Sequence, residues 1–377
     1  MRALRVLGWV LLLAGLAAGG AVGFVGWRLF QFQRTAHGGG EEKVVEVPAG
    51  ASAREVVRLL AREGVVSDER LAWWWVRWVR RDPRPMKAGE YGFAGPLRPD
   101  EVLERLHRGE VKTYRFTVPE GLRLEEIGPI VERAGLGRAD ELLALMRDPQ
   151  VARSLGVPFS SLEGYLYPDT YTFPRGPRAQ TLVAAMVSRA KEAWRRADAQ
   201  RLPGVTLDEK QAFVLASIVE KETGRAEERP RVACVFHNRL RKGIRLATDP
   251  TVLYAKQLRT GAWSKNLTRA DLLADHPYNT YTRAGLPPGP IASPGEAALA
   301  AALRPADCRD LYFVSRNDGS HEFCPDLACH NAAVKRWQVN WFRERRASRG
   351  ATTGGAKAAP RTGARAKGAK KPRPQGG

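Results

Sequence analysis

The N-terminus carries one uninterrupted apolar stretch, Val6 to Trp27, with 22 residues and no charge. At about 1.5 Å per residue such a helix spans roughly 33 Å, enough for a hydrocarbon core of about 30 Å. Arg2 and Arg5 precede the run, as they would in a signal peptide. However, the run continues through Phe24, Val25 and Trp27 with no polar cleavage region after it. The pattern therefore predicts a retained anchor, with the short tail inside and the large body outside. A glycine-rich hinge, His37 to Gly40, separates the anchor from the body.

Beyond the hinge the periodicity changes. Val44-Val45-Glu46-Val47 alternates as a strand, and Pro48-Ala49-Gly50 closes it. Ser52-x-x-Glu55 is a capping box, and Val56, Val57, Leu59 and Leu60 give the next helix an apolar face up to Gly64. A second helix is predicted over Asp68 to Arg80, a strand over Lys87 to Phe93, and a helix from Pro99 to Gly109. A related pattern returns 71 positions later, where Val118-Pro119-Glu120-Gly121 echoes Val47-Pro48-Ala49-Gly50. Ala134-Gly135 then ends a helix as Glu63-Gly64 does. This predicts two small β-α-α modules in tandem, although a match this short also arises by chance. Within the first, helical spacing puts Leu71, Trp74 and Trp78 on one face, expected to pack in the core or near the membrane, with sugar stacking as the alternative.

The richest segment for chemistry is a later helix. Thr206-x-x-Glu209 reads as its capping box, and Lys210 to Thr223 as its body, with Ala212, Leu215, Ala216 and Val219 as a buried stripe. Glu220 lies at the edge of that stripe. A carboxyl there loses hydration and holds a proton near neutral pH, as a general acid for glycosidic cleavage must. A helix-end ion pair with Arg225 is the competing structural role. Glu163 and Asp169 are candidates for a second carboxylate, since hydrolytic glycosidases use two, while Asp169 also suits an Asx turn. There is no phosphate-cradling glycine loop, nucleophile elbow or metal-binding helix pair.

Composition adds to this in two places. The net charge of +21 is concentrated, with eleven Lys/Arg and one Glu between 343 and 377; the remainder is a diffuse basic surface suited to anionic partners. That terminal segment lacks aromatic and large aliphatic residues and is expected to be a disordered tail. A nucleic-acid binder resting on the tail alone ranks last. Of four cysteines, Cys234 stands in an apolar stretch and is expected to be a lone buried residue. Cys308, Cys324 and Cys329 are expected to contain one disulfide, because their spacing with His321 and His330 suits zinc poorly.

Several long motifs carry a resemblance. Glu163-Gly-Tyr-Leu-Tyr-Pro-Asp-Thr-Tyr171 and Ala216-Ser-Ile-Val-Glu-Lys-Glu-Thr223 resemble endolytic murein transglycosylases of the YceG-like (MltG) family. So do Glu228 to Leu240, Thr248-Asp-Pro-Thr-Val-x-Tyr254, Tyr278-Asn-Thr-Tyr281 and Gly285-Leu-Pro-Pro-Gly-Pro-Ile291, together spanning Phe116 to Trp337 in order. The resemblance implies a lyase that cuts nascent glycan strands internally and leaves 1,6-anhydro-N-acetylmuramic ends, with no metal or organic cofactor. It puts the catalytic glutamate at Glu220 and suggests Glu163, Asp169, Asn238, Asp249, Asn279, Tyr281 and His330 as groove residues. Peptidoglycan strands, the inner membrane through residues 6–27 and peptidoglycan synthases are the implied partners, and nucleic acid is not. The expected class is α+β: a cytoplasmic stub and transmembrane anchor over 1–34, a LysM-like module over 41–112, a mixed α+β YceG-like catalytic domain over 113–342 and a basic tail over 343–377. The body would be periplasmic. A non-catalytic wall-binding scaffold is the rival function. The cysteines near His330 and the basic tail are departures from the family pattern.

Overall fold

A computed structural model describes residues 2–341 and 343; the basic tail beyond them lies outside the described residues. The chain opens with helix α1 (Arg2–Arg34), exposed along its apolar length. Strand β1 (Lys43–Val47), helices α2 (Ala53–Arg62) and α3 (Glu69–Trp74, continued by a π-helical segment Trp75–Arg80), strand β2 (Gly89–Phe93) and helix α4 (Pro99–Arg108) form the first module. Ser52 and Glu55 make the expected reciprocal cap on α2. β1 and β2 pair antiparallel, with Val45 opposite Tyr91. The buried faces of these elements enclose one core, and Phe32 at the end of α1 is part of it.

The design then repeats. Strand β3 (Thr113–Thr117), helices α5 (Leu124–Arg133), α6 (Ala139–Arg147) and α7 (Pro149–Ser154), strand β4 (Thr170–Pro174) and helix α8 (Ala179–Asp198) come in the same order. β3 pairs antiparallel with β4, with Phe116 opposite Tyr171. The equivalences run to single atoms. Gly50 and Gly121 turn the chain at φ +79° and +74°, in the left-handed region that glycine enters without strain. Tyr91 Oη donates to Lys87 O at 2.8 Å, and Tyr171 Oη donates to Tyr167 O at 2.7 Å, each four residues back. The 71-residue echo in the sequence therefore corresponds to repeated local geometry.

The rest packs around helix α9 (Glu209–Glu222). Every residue from Ala212 to Val219 is buried, so this helix is apolar on all sides and not merely along a stripe. Helices α10 (Arg229–Arg241), α11 (Asp249–Thr260), α12 (Arg269–Leu273) and α13 (Glu296–Leu303) come next, and α10, α11 and α13 pack directly against α9. A final hairpin, β5 (Tyr312–Ser315) and β6 (His321–Cys324), leads into α14 (Leu327–Val334). The result is a mixed α+β chain whose sheets, among the described residues, are three separate antiparallel pairs.

Two expectations change, the cap of α9 and the isolation of Cys234, and the tryptophan face resolves against the core. The cap of α9 is Asp208 with Gln211, not Thr206 with Glu209, because Glu209 instead accepts from the buried Tyr165 hydroxyl at 3.1 Å. Trp74 and Trp78 are 45% and 57% exposed; their neighbour Trp75 takes the core position against Phe32. Cys234 is not alone, since it is bridged to Cys308. Cys324 and Cys329 form the one bridge expected within the trio, and Cys308 supplies the bond to α10.

Cross-linking removes loop-closure freedom from the unfolded chain, more so for longer loops. The Cys234–Cys308 bridge closes 74 positions and the Cys324–Cys329 bridge closes 5. On that basis Cys234→Ser/Cys308→Ser loses about 4 kcal/mol and Cys324→Ser/Cys329→Ser about 2 kcal/mol. Urea unfolding of the two double variants checks the order.

Candidate active site

The last turn of α9 carries three charged residues after a wholly buried helix, and each has its own surroundings. Glu220 points into a buried ion pair. Arg229 Nη2, at the start of α10, donates to its Oε1 at 2.8 Å, and the Gly295 amide donates to Oε2 at 3.0 Å. Only 6% of the Glu220 side chain and 10% of the Arg229 side chain are exposed. Burial pushes the Glu220 pKa up, opposed by the amide and the guanidinium. Each oxygen thus accepts from one N–H group, and burial outweighs both donors in setting the direction of the shift.

Glu222 is placed differently. It lies at the head of a cleft of about 390 Å³, lined further by Arg239, Thr248, Asp249, Tyr281, Tyr312 and His330. Its carboxylate accepts from the Thr248 hydroxyl. Burial pushes its pKa up to about 7, and the Asp249 charge adds to this, while the Thr248 bond, His321 and Arg239 oppose. A glutamate in that range is about half protonated at neutral pH, so it can give a proton and can also act as a base once ionised.

Four parts of the chain build the cleft walls. Arg239 on α10 donates to Leu311 O and Leu246 O, both at 2.6 Å, which fixes the loop entering α11 and the start of β5. In that loop Ala247 adopts φ +46°, a strained conformation for a side-chain-bearing residue, held by its amide bond to Thr280 O at 3.1 Å. Tyr281 Oη donates to Asp249 Oδ1 at 2.7 Å across the floor. His330 on α14 stacks near Tyr312, with ring centroids 5.0 Å apart. Burial and Arg239 lower the His330 pKa, so its imidazole is neutral at pH 7. Both disulfides hold this far wall: one joins α10 to the segment before β5, the other joins β6 to α14.

Of the residues chosen from sequence, Asp249, Tyr281 and His330 meet at this cleft. The others do not. Asn238 is a buried clamp, donating to Asp310 O at 2.9 Å and to Cys308 O at 3.1 Å. Asn279 is fully buried; it donates to Ala274 O at 2.8 Å and accepts the Tyr281 amide at 3.0 Å, which orients that tyrosine. Asp169 accepts the Thr170 amide at 2.7 Å and lies 3.5 Å from Arg189. Glu163 is buried against Tyr254, whose hydroxyl donates to it at 3.0 Å, and burial pushes its pKa up to about 8. It borders a separate cavity. Its neighbour Gly164 adopts φ +80°, and a side-chain carbon there would sit 2.4 Å from Pro290.

Glu222, Arg239, Thr248 and Tyr312 line the cleft without having been singled out from sequence. Because α9 is buried all round, periodicity cannot choose between Glu220 and Glu222. The usable signal lay elsewhere, in Arg229 nine positions beyond Glu220, a cation placed to neutralise the first carboxylate and not the second.

Sequence comparison places this architecture. The chain belongs to the YceG-like family, whose match covers residues 45–336. An endolytic murein transglycosylase of Bacillus subtilis (strain 168) is 28% identical over 309 residues, covering 78% of this chain and 84% of that protein. A protein of the same description from Streptococcus pneumoniae (strain D39) is 27% identical over 302 residues; the match covers 72% of this chain and 54% of that relative. The crystal structure of a YceG-like protein from Listeria monocytogenes, 31% identical, superposes with a TM-score of 0.52 over 78% of this chain and 99% of that one.

Two acids with raised pKa values give the fold a defined pH response. Each contributes fully while protonated in both states. That contribution is lost as pH rises from the ordinary glutamate value of 4.5 through about 7 for Glu222 and about 8 for Glu163. Glu163→Gln removes its share of the loss. The urea midpoint of this variant is therefore expected to decline less than that of the unsubstituted protein between about pH 5 and 9.

Proposed function

We propose that the chain is an endolytic peptidoglycan lytic transglycosylase and that Glu222 is its acid and base. The observation that carries the reading is the desolvated Glu222 carboxyl at the head of a cleft shared with Asp249, Tyr281 and His330. The names of the B. subtilis and S. pneumoniae relatives supply the substrate class.

The protonated Glu222 gives its proton to the glycosidic oxygen between N-acetylmuramic acid and N-acetylglucosamine as the C1–O bond breaks. The carboxylate so formed takes the proton of the muramic C6 hydroxyl, whose oxygen closes on C1. The product is a 1,6-anhydro end, and the acid is regenerated. Water is not a reactant, so no second carboxylate is required to activate it. The Asp249–Tyr281 pair and Arg239 are suited to bind the sugar and stabilise charge across from the acid. Cleavage inside nascent strands would end their elongation, beside the synthases that make them.

In the same reading α1 spans the inner membrane once, with the tail inside and the body outside. Residues 41–112 form the LysM-like module and 113–342 the catalytic domain. The helix Arg5–Arg34, with mean hydropathy 2.0 over its best window, supports the anchor.

The assignment of Glu222 in place of Glu220 is directly testable. Muropeptide mass spectrometry on purified glycan strands is expected to show anhydro-ended internal fragments with the unsubstituted protein. Glu222→Gln should lose about 10²- to 10⁴-fold in rate, the usual contribution of a general acid. Glu220→Gln should keep the cleavage chemistry and lose stability, because Arg229 is left buried with a weaker partner. The reverse pattern returns the acid to Glu220. Reducing ends would mean hydrolysis, and strand binding without cleavage by the unsubstituted protein would support a wall-binding scaffold. The rate should also fall as pH rises through about 7, where Glu222 loses its proton.

A further inference from the structure

The first module leaves one apolar stripe uncovered. On the helical spacing of α3 and its π-helical continuation, Leu71, Trp74, Trp75 and Trp78 succeed one another along one side. Trp75 is buried against α1, with its ring 6.3 Å from Phe32 and its Nε1 donating to Gln33 Oε1 at 3.3 Å. Trp74, Trp78 and Val79 continue that side but are 45%, 57% and 48% exposed. Exposed arginines interleave with them. Arg77 stacks over Trp78 at 4.8 Å, Arg81 Nε donates to Trp78 O at 3.0 Å, and Arg80 stands beside it in the chain.

The position of α1 says what lies beside this stripe. The uncharged run ends at Trp27, yet Leu29 and Phe32 already pack into the first module. At 1.5 Å per residue Phe32 is only about 8 Å beyond Trp27 along the helix axis. The module therefore has no spacer from the bilayer that α1 enters. Around the same level Trp27 and Phe30 are exposed, and Arg34 stacks over Phe30 at 4.8 Å. Tryptophans with an apolar body and a polar edge, flanked by arginines, match the headgroup layer of a membrane, where anionic phosphates meet the guanidinium groups.

We propose that Trp74 and Trp78, with Arg77, Arg80 and Arg81, dock the first module on the lipid headgroups of the bilayer that α1 spans. This rests on the reading of α1 as a membrane anchor. The contact makes the module a second footing on the membrane, beside the packing of Leu29 and Phe32 that already joins it to α1.

The test uses the full chain with Trp9 and Trp27 replaced by Phe to silence the anchor. It is reconstituted in phosphatidylcholine/phosphatidylglycerol vesicles carrying lipids brominated close to the headgroup. The tryptophan emission is expected to be quenched, and adding Trp74→Phe/Trp78→Phe is expected to remove about half or more of that quenching. Because both side chains are exposed, the fold of the variant is retained. Flotation with the vesicles is read on the same sample. Flotation with quenching unchanged by the double substitution overturns the docking and leaves the anchor standing. Failure to float overturns the anchor, and the docking with it. If glycan strands added to the sample shift the Trp74 and Trp78 emission while bromine does not quench it, the stripe belongs to sugar and the proposal falls.

Discussion

The structure depends on how a wholly buried helix ends. Helix α9 runs through the core with apolar side chains on every side and must then place charged residues where water is scarce. An uncompensated carboxylate there would cost several kcal/mol. Arg229 meets this constraint by pairing with Glu220 while the Gly295 amide takes the second oxygen. The pair ties α9 to the start of α10 and to the loop ahead of α13. Glu222, two positions on along the same helix, faces the cleft and is held there by the Thr248 hydroxyl.

Seen from the cleft, the electrostatics are arranged by subtraction. Arg229 spends its charge on Glu220 and, at 3.3 Å, on Glu120, so it does not hold Glu222 ionised. Arg239 lines the cleft with Nε and Nη1 donating to the carbonyls of Leu311 and Leu246, and its charge opposes the rise of the Glu222 pKa without cancelling it. Asp249 keeps a negative charge nearby, softened by the Tyr281 hydroxyl. Around Glu222 burial and the Asp249 charge outweigh the Thr248 hydroxyl, His321 and Arg239, and the carboxyl is held half-protonated near neutrality.

Much of the architecture was legible in the chain, and the exceptions have physical reasons. The echo of Val47-Pro48-Ala49-Gly50 in Val118-Pro119-Glu120-Gly121 was readable because turns are set by local chemistry, and Gly50 and Gly121 share their backbone conformation. The Ser52 cap was readable for the same reason. The choice between Thr206 and Asp208 was not, because Tyr165 decides it from 44 positions away. For Trp74 and Trp78 the sequence leaves core and membrane-proximal packing open together, because the helical period marks a face without saying what covers it. Asn238 and Asn279 were given to the groove because a motif records that a polar residue matters, not whether it binds a ligand or a backbone carbonyl. The helical period does not separate Glu220 from Glu222; their surroundings differ through a tertiary partner, Arg229, which pairs with Glu220.

The two disulfides fasten the far wall of the cleft. β5, β6 and α14 together bury only a small cluster of their own around Val314, Cys324 and Ala333, and they supply Tyr312 and His330 to the cleft. One bridge fastens this unit to α10 and the other fastens β6 to α14. Tyr312 and His330 therefore reach the cleft on a small unit whose place is kept by two covalent bonds rather than by an extended core of its own.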